Sequence, residues 1–195
     1  MANMYTVVPN KIYRGGKCVY SFILNGEKVS TNIDKRLLDY LREDKRITSV
    51  KNGCNGEGVC GACSVLVDGK KRQSCKLTTT KVHGKEILTV EGLSDLEKDI
   101  YVWAFTEAGA VQCGFCTPGM VISAKSLLDN NLNPTSKDIK NAIRGNLCRC
   151  TGYVKIEKAI NLAAKAMREG FKPVFDCKVN IGEELNRVDA REKVL

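Results

Sequence analysis

The sequence predicts an α+β chain in two parts, a small strand-and-helix domain followed by an all-α domain of four helices. Three observations predict it. Two Asx-Gly pairs, Asn25-Gly26 and Asp68-Gly69, each divide a strand-like run in the first half. Capping-box sequences and apolar residues at helical spacing fill the second half. The cysteines follow the same division, with one set of four in each half.

Residues 1–18 read as an irregular, basic N-terminal extension. "VYSFILNGEKVST" (19–31) reads as a hairpin. "DKRLLDYLRED" (34–44) is helical, with Leu37, Leu38 and Leu41 on one face. A loop rich in glycine (Gly53, Gly56, Gly58, Gly61) follows, then a hairpin in "CSVLVDGKKRQSC" and a last short strand in "KEILTVEGL". This domain spans 19–93. Ser94 and Glu97 form a capping box for the first helix of the next domain, 94–168. Thr117 and Pro118 are placed as N-cap and first turn of the second. Thr135 and Asp138 open the third, and Thr151 is assigned as cap of the fourth. Each of the two helical hairpins carries a cysteine pair just before its second helix. Residues 169–195 form a linker and tail.

Composition narrows the function classes. The chain has 195 residues, ten cysteines and a formal charge of +9. It has no apolar run near the ~18 residues a transmembrane helix needs, and its start lacks a secretory signal. A cytoplasmic protein with no membrane partner is expected, in which cysteines serve as metal ligands or redox groups rather than disulfides. Lys and Arg are spread among Asp and Glu, which describes a solvated surface better than a nucleic-acid face. His83, the only histidine, sits among lysines and is expected to be exposed and without a role. No phosphate-binding or dinucleotide glycine motif is present.

The first cysteine set is Cys54-x5-Cys60-x2-Cys63-x11-Cys75. A loop that wraps a cluster must turn tightly and aim backbone N–H groups at sulfur, and glycine permits those dihedrals. The spacing is near the plant-type [2Fe-2S] pattern, with one extra residue in the first gap. The second set is Cys113-x2-Cys116-x31-Cys148-x1-Cys150. Helix starts favour anionic thiolates. Spacing leaves open which cysteines share an iron. Two structural zinc sites are the alternative from another class, in a zinc-stabilised binding protein, although Cys-x1-Cys and Cys-x5-Cys are unusual zinc spacings. Cys18 and Cys177 lie outside both sets and read as unpaired thiols.

"CNGEGVCGACSVLVDGK", "AGAVQCGFCTPGM" and "RGNLCRCTGY" together resemble the iron–sulfur subunit or domain of the xanthine oxidase family of molybdenum hydroxylases, over roughly residues 19 to 168. The resemblance implies a β-grasp domain of plant-ferredoxin type followed by a four-helix domain, each holding one [2Fe-2S] cluster. Cys54, Cys60, Cys63 and Cys75 would hold the first. Cys113, Cys116, Cys148 and Cys150 would hold the second, nearest a molybdenum–pterin cofactor carried by a large partner chain or domain. Gln112 and Cys150 would contact the pterin. Electrons would leave the molybdenum through both clusters to FAD on a partner, or to a soluble acceptor. This chain would supply no catalytic group to the substrate. Xanthine or another purine is the expected substrate of the whole enzyme, with aldehydes or N-heterocycles next. Relatives usually have four residues between the first two cysteines, so the extra residue here requires a bulge or a changed N–H pattern, which bears on the potential.

The tail "IGEELNRVDAREKVL" (181–195) resembles the opening of the family's large molybdenum subunit through Arg187, Asp189, Ala190, Lys193 and Val194. That resemblance implies the N-terminal part of a fused protein, similar to selenium-dependent xanthine dehydrogenases and some aldehyde oxidoreductases.

Overall fold

The structure, a computed structural model, describes residues 7–8, 11–14, 17–175 and 187–195, with side chains from residue 19 onward. Cys177, the side chain of Cys18 and the tail over 176–186 lie outside the described residues.

β1 (Val7–Val8), β2 (Lys11–Arg14) and β3 (Lys17–Leu24) form an antiparallel meander. The irregular extension expected before residue 19 is therefore corrected. A Gly15-Gly16 pair between two short runs is itself a two-residue hairpin signal. β3 turns into β4 (Glu27–Thr31) through Asn25 and Gly26, at φ 51° and 85°. β5 (Ser64–Val67) turns into β6 (Lys70–Gln73) through Asp68 and Gly69, at φ 49° and 74°. Both pairs have the positive φ values that a type I′ hairpin turn demands.

β7 (Glu86–Leu88) lies between β3 and β5, parallel to the first and antiparallel to the second. The resulting mixed sheet packs on one short helix, α1 (Leu37–Asp39), which runs on as a π-helical turn, Tyr40–Asp44. Leu37, Leu38 and Leu41 are fully buried there with Phe22, Val65 and Ile87. His83 is part of this domain's structure and corrects the sequence expectation. Its Nδ1 accepts the Ser21 backbone N–H at 3.0 Å, pinning the loop before β7 to β3.

The second half comprises α2 (Asp95–Glu107), α3 (Thr117–Leu128), α4 (Ser136–Ile143) and α5 (Val154–Glu169). Both capping boxes form, Ser94 with Glu97 and Thr135 with Asp138. Tyr101, Phe105, Met120, Ile139, Ile156 and Ile160 fill the core between the helices. Two assignments shift. Cys116, not Thr117, caps α3, and Pro118 sits in its first turn. Tyr153, in the left-handed region at φ 71°, holds the N-cap position of α5 with no side-chain cap bond, and the Thr151 hydroxyl accepts the Tyr153 N–H at 3.3 Å while lying 3.1 Å from the Cys148 sulfur. A fifth helix, α6 (Ala190–Val194), buries Ala190 and Val194 in the same core, packed on α2 and α3.

β5 joins the halves. All four of its residues are buried, Val65 and Val67 in the sheet-side core and Leu66 in the helical core. A strand alternates its side chains, so one strand lies between two cores.

Candidate metal centres

The first cysteine set gathers on the loop between α1 and β5, closed by a 3₁₀ turn over Ser74–Lys76. The extra residue in the first gap is taken up by a tight turn. Asn55 and Gly56 stand at φ 49° and 89°, and the Glu57 N–H donates to the Cys54 carbonyl at 3.1 Å. That is a type I′ turn built from an Asn-Gly pair. It leaves the rest of the loop free to aim donors inward. N–H groups of Cys60, Val59 and Gly58 point at the Cys54 sulfur, and those of Cys60 and Val59 do most to pull its thiol down to about 6. A carbonyl anchor holds the other end, where the Ser74 N–H and hydroxyl both donate to the Cys63 carbonyl, at 3.1 and 2.9 Å.

Within the set the thiols act on one another in pairs, Cys54 with Cys60 and Cys63 with Cys75. Burial pushes Cys75 up to about 12, with the Cys63 sulfur adding to it. Burial also raises Cys60. The Arg36 guanidinium, bidentate to Asp39 at 2.8 and 2.7 Å, packs against Gly56, and the Lys76 side chain packs against Gly58 in the same loop.

The second set converges from two separate loops, at the starts of α3 and α5. Cys113 and Cys150 stand with sulfurs 3.6 Å apart. Cys116 pairs with Cys148, and burial followed by that neighbour pushes the Cys116 thiol up to about 12. Burial acts to raise Cys148 too, but the Thr151 hydroxyl, 3.1 Å from its sulfur, and nearby N–H groups outweigh burial and hold it low. The Tyr153 hydroxyl accepts the Cys148 N–H at 2.9 Å. A hollow of about 540 Å³ opens here, lined by Phe115, Leu147, Arg149, Tyr153 and the four cysteines. Gln112, exposed at its edge, donates through Nε2 to the Cys150 carbonyl at 3.1 Å. Arg187 from the tail donates to the carbonyls of Val111 and Gln112 on the same loop.

The paired sulfurs suit two irons better than one central ion. Metal–thiolate bonds of about 2.3 Å in a tetrahedron place two sulfurs on one metal about 3.7 Å apart, close to the 3.6 Å between Cys113 and Cys150. Among the described residues, no three His, Cys, Asp or Glu side chains converge as a single ion would need. Each four-thiol set therefore fits a [2Fe-2S] cluster, two thiols to each iron.

The two sets adjoin. The Leu147 N–H donates to the Cys60 carbonyl at 2.8 Å, and Leu147 precedes Cys148. Gly61 and Gly119 let the two loops approach this closely, since a Cβ on Gly119 would lie 3.4 Å from the Ala62 Cα and nearer still to the Gly61 carbonyl. The sequence reading singled out the eight cysteines and Gln112. It missed Asn146, Tyr153 and Lys71, and named Thr151 only as a helix cap, because their roles here depend on partners brought in by the fold. A Gly-Asn pair directly before Cys-x-Cys is the nearest sequence signal for Asn146.

Eight thiols in two such sets define a two-cluster iron–sulfur protein. Comparison with known proteins agrees with that class. The family model described as "2Fe-2S iron-sulfur cluster binding domain" matches residues 17–102, and "[2Fe-2S] binding domain" matches residues 89–161. The chain is 47% identical over 152 residues to the nicotinate dehydrogenase small FeS subunit of Eubacterium barkeri, covering 76% of this chain and 96% of that one. It is 43% identical to a probable xanthine dehydrogenase subunit of Bacillus subtilis, over 69% of this chain and 78% of that one. The aldehyde oxidoreductase structure from Desulfovibrio desulfuricans superposes with a TM-score of 0.79 at 35% identity, over 90% of this chain and 21% of that chain. The chain belongs to the iron–sulfur subunits and domains of the xanthine oxidase family of molybdenum hydroxylases. It is an iron–sulfur, electron-transfer component of an oxidoreductase.

Proposed function

We propose that the chain is the electron relay of a molybdenum hydroxylase, with a ferredoxin-type unit over 19–93 and a helical unit over 94–168. Cys54, Cys60, Cys63 and Cys75 hold one [2Fe-2S] cluster. Cys113, Cys116, Cys148 and Cys150 hold the other. The observation that carries this is the adjacency of two paired four-thiol sets, tied by the Cys60–Leu147 hydrogen bond. When bound, the two clusters supply one-electron storage in line between a molybdenum site and an acceptor. The protein's part is positional. Backbone N–H groups at Cys54 and the Thr151 hydroxyl at Cys148 stabilise thiolate charge. Burial around Cys63, Cys75 and Cys116 excludes water.

Gln112 and Cys150 face outward from one mouth beside exposed Phe115 and Leu147. This supports contact there with the pterin of a large molybdenum-binding partner, the acceptor being FAD on a further partner or a soluble carrier. In this reading the tail 187–195 is the start of the molybdenum-binding part. Its packing on α2 and α3 and the 90% coverage by a longer aldehyde oxidoreductase chain support that. Among the described residues no helix is long and apolar enough to cross a membrane, in keeping with a cytoplasmic enzyme. For the substrate of the whole enzyme we favour a purine such as xanthine. Nicotinate-like N-heterocycles and aldehydes come second, each supported by relatives bearing those names.

Native mass spectrometry of the complex purified with this chain, with iron and sulfide analysis, tests the proposal. Expected are about four irons per chain, as two two-iron clusters require, absorption bleached by dithionite, and a molybdenum-containing partner or domain. A colourless chain with about two zincs would overturn it.

A further inference from the structure

Asn146 is a buried polar side chain, 1% exposed, and it binds no metal in the reading above. Its amide is fully used. Nδ2 donates to the Gly61 carbonyl at 3.0 Å and to the Ser64 hydroxyl at 3.4 Å. Oδ1 accepts from the Lys71 ammonium at 2.6 Å and from the Ser123 hydroxyl at 2.7 Å. Lys71 also donates to the Ala142 carbonyl at 2.8 Å. Asn146 stands on the helical side, between α4 and Cys148. Three of its four partners, Gly61, Ser64 and Lys71, come from the sheet side.

We propose that Asn146 is a positioning residue that sets the separation of the two clusters. Gly61 follows Cys60, and Cys148 lies two residues beyond Asn146. The Asn146–Gly61 bond therefore sits beside the Cys60–Leu147 bond, and together they fix the Cys60 backbone against the Cys148 backbone at two adjacent points. A single backbone bond would act as a hinge, whereas two set both distance and angle. The chemistry at 146 is specific. It must donate to a carbonyl and accept from an ammonium, which asparagine does and aspartate or leucine does not. An apolar residue would fill the space but leave Lys71 with the Ala142 carbonyl alone and the Gly61 carbonyl without its side-chain donor.

The proposal rests on the cluster assignment above, and the experiment separates the two. The parent complex, Asn146→Ala, Asn146→Asp and Thr135→Ala are loaded with clusters, and iron, visible absorption and the low-temperature EPR spectrum of the fully reduced state are recorded. The magnetic splitting between two reduced centres falls with the inverse cube of their separation, so it reports geometry independently of turnover. A parent lacking about four irons per chain would remove the cluster assignment itself. With iron retained, both Asn146 variants are expected to lose the splitting seen in the parent. Thr135→Ala, which loosens the far end of α4 and touches none of the Asn146 bonds, is expected to keep it. Unchanged splitting in Asn146→Ala would overturn the proposal. So would an equal loss in Thr135→Ala, because the effect would then be general loosening. If these two Asn146 variants do not load, Asn146→Gln, which keeps the amide but carries it one methylene further out, decides: altered splitting with iron retained supports the proposal and unaltered splitting overturns it.

Discussion

Gly61→Ala probes the closest approach between the two halves. Gly61 stands at φ 67°, and a Cβ there would lie 2.9 Å from both the Cα and Nδ2 of Asn146, and closer still to the Gly145 carbonyl. Three costs follow. Left-handed backbone costs an alanine about 1–2 kcal/mol. Overpacking against backbone, which cannot rotate away, costs about 1–3 kcal/mol. Moving residues 145–147 aside weakens the Asn146–Gly61 and Leu147–Cys60 bonds, at about 1 kcal/mol each. The total is about 4 kcal/mol or more. Gly69→Ala is the matched control, since Gly69 stands at φ 74° with nothing within 4 Å of its Cβ position. It carries only the backbone cost, about 1–2 kcal/mol. The variants should thus differ by about 3 kcal/mol, or about 1–3 M in urea midpoint at a slope of about 1–3 kcal/mol/M. Urea unfolding of the purified chain, followed by far-UV circular dichroism and cluster absorbance, measures this. Equal midpoints for the two variants would refute the steric argument.

Leu66→Ala should cost about 2–5 kcal/mol and lower the thermal midpoint read at Trp103, which packs on the helical core, although residue 66 lies on a sheet strand; an unmoved Trp103 transition would show that β5 does not couple the cores. Ser94→Ala removes the α2 cap and should cost about 1 kcal/mol, whereas a midpoint within error of the parent would show the capping box to be idle. In chain stripped of metal, Cys54 should alkylate with a rate that rises through pH 6 and levels off above it, because its thiol is pulled to about 6; Cys75 and Cys116, pushed up to about 12, should stay slow at pH 8. The lowered Cys54 value means the fold gains from its thiolate above the ordinary thiol range near 9 and loses that gain as pH falls through about 6. Mass mapping of the alkylated peptides reads the order, and uniform labelling would contradict it.

Much of the architecture was legible in short stretches. The Asn25-Gly26 and Asp68-Gly69 hairpins, the Ser94 and Thr135 capping boxes and the buried Leu37, Leu38 and Leu41 face all follow from dihedral preference or side-chain period within a few residues. The two cysteine sets were legible as sets, because ligand spacing is itself a local property.

The remainder lies in contacts between residues far apart in the chain. Thr151 was a reasonable cap by sequence, yet the helix starts two residues later and the threonine hydroxyl is shared between the Tyr153 N–H and the Cys148 sulfur. His83 acquired a role only when Ser21, 62 residues earlier, came alongside. Which thiols pair, Cys113 with Cys150 and Cys116 with Cys148, depended on two helix starts meeting. Asn146 and Gly61, 85 residues apart, share a hydrogen bond that neither local sequence signals. Turns, caps and ligand sets follow from the order of residues alone, since backbone dihedrals and side-chain period are short-range properties. Only the folded chain determined how those sets face one another, because that depends on which buried donors and acceptors find partners across the junction of the two cores.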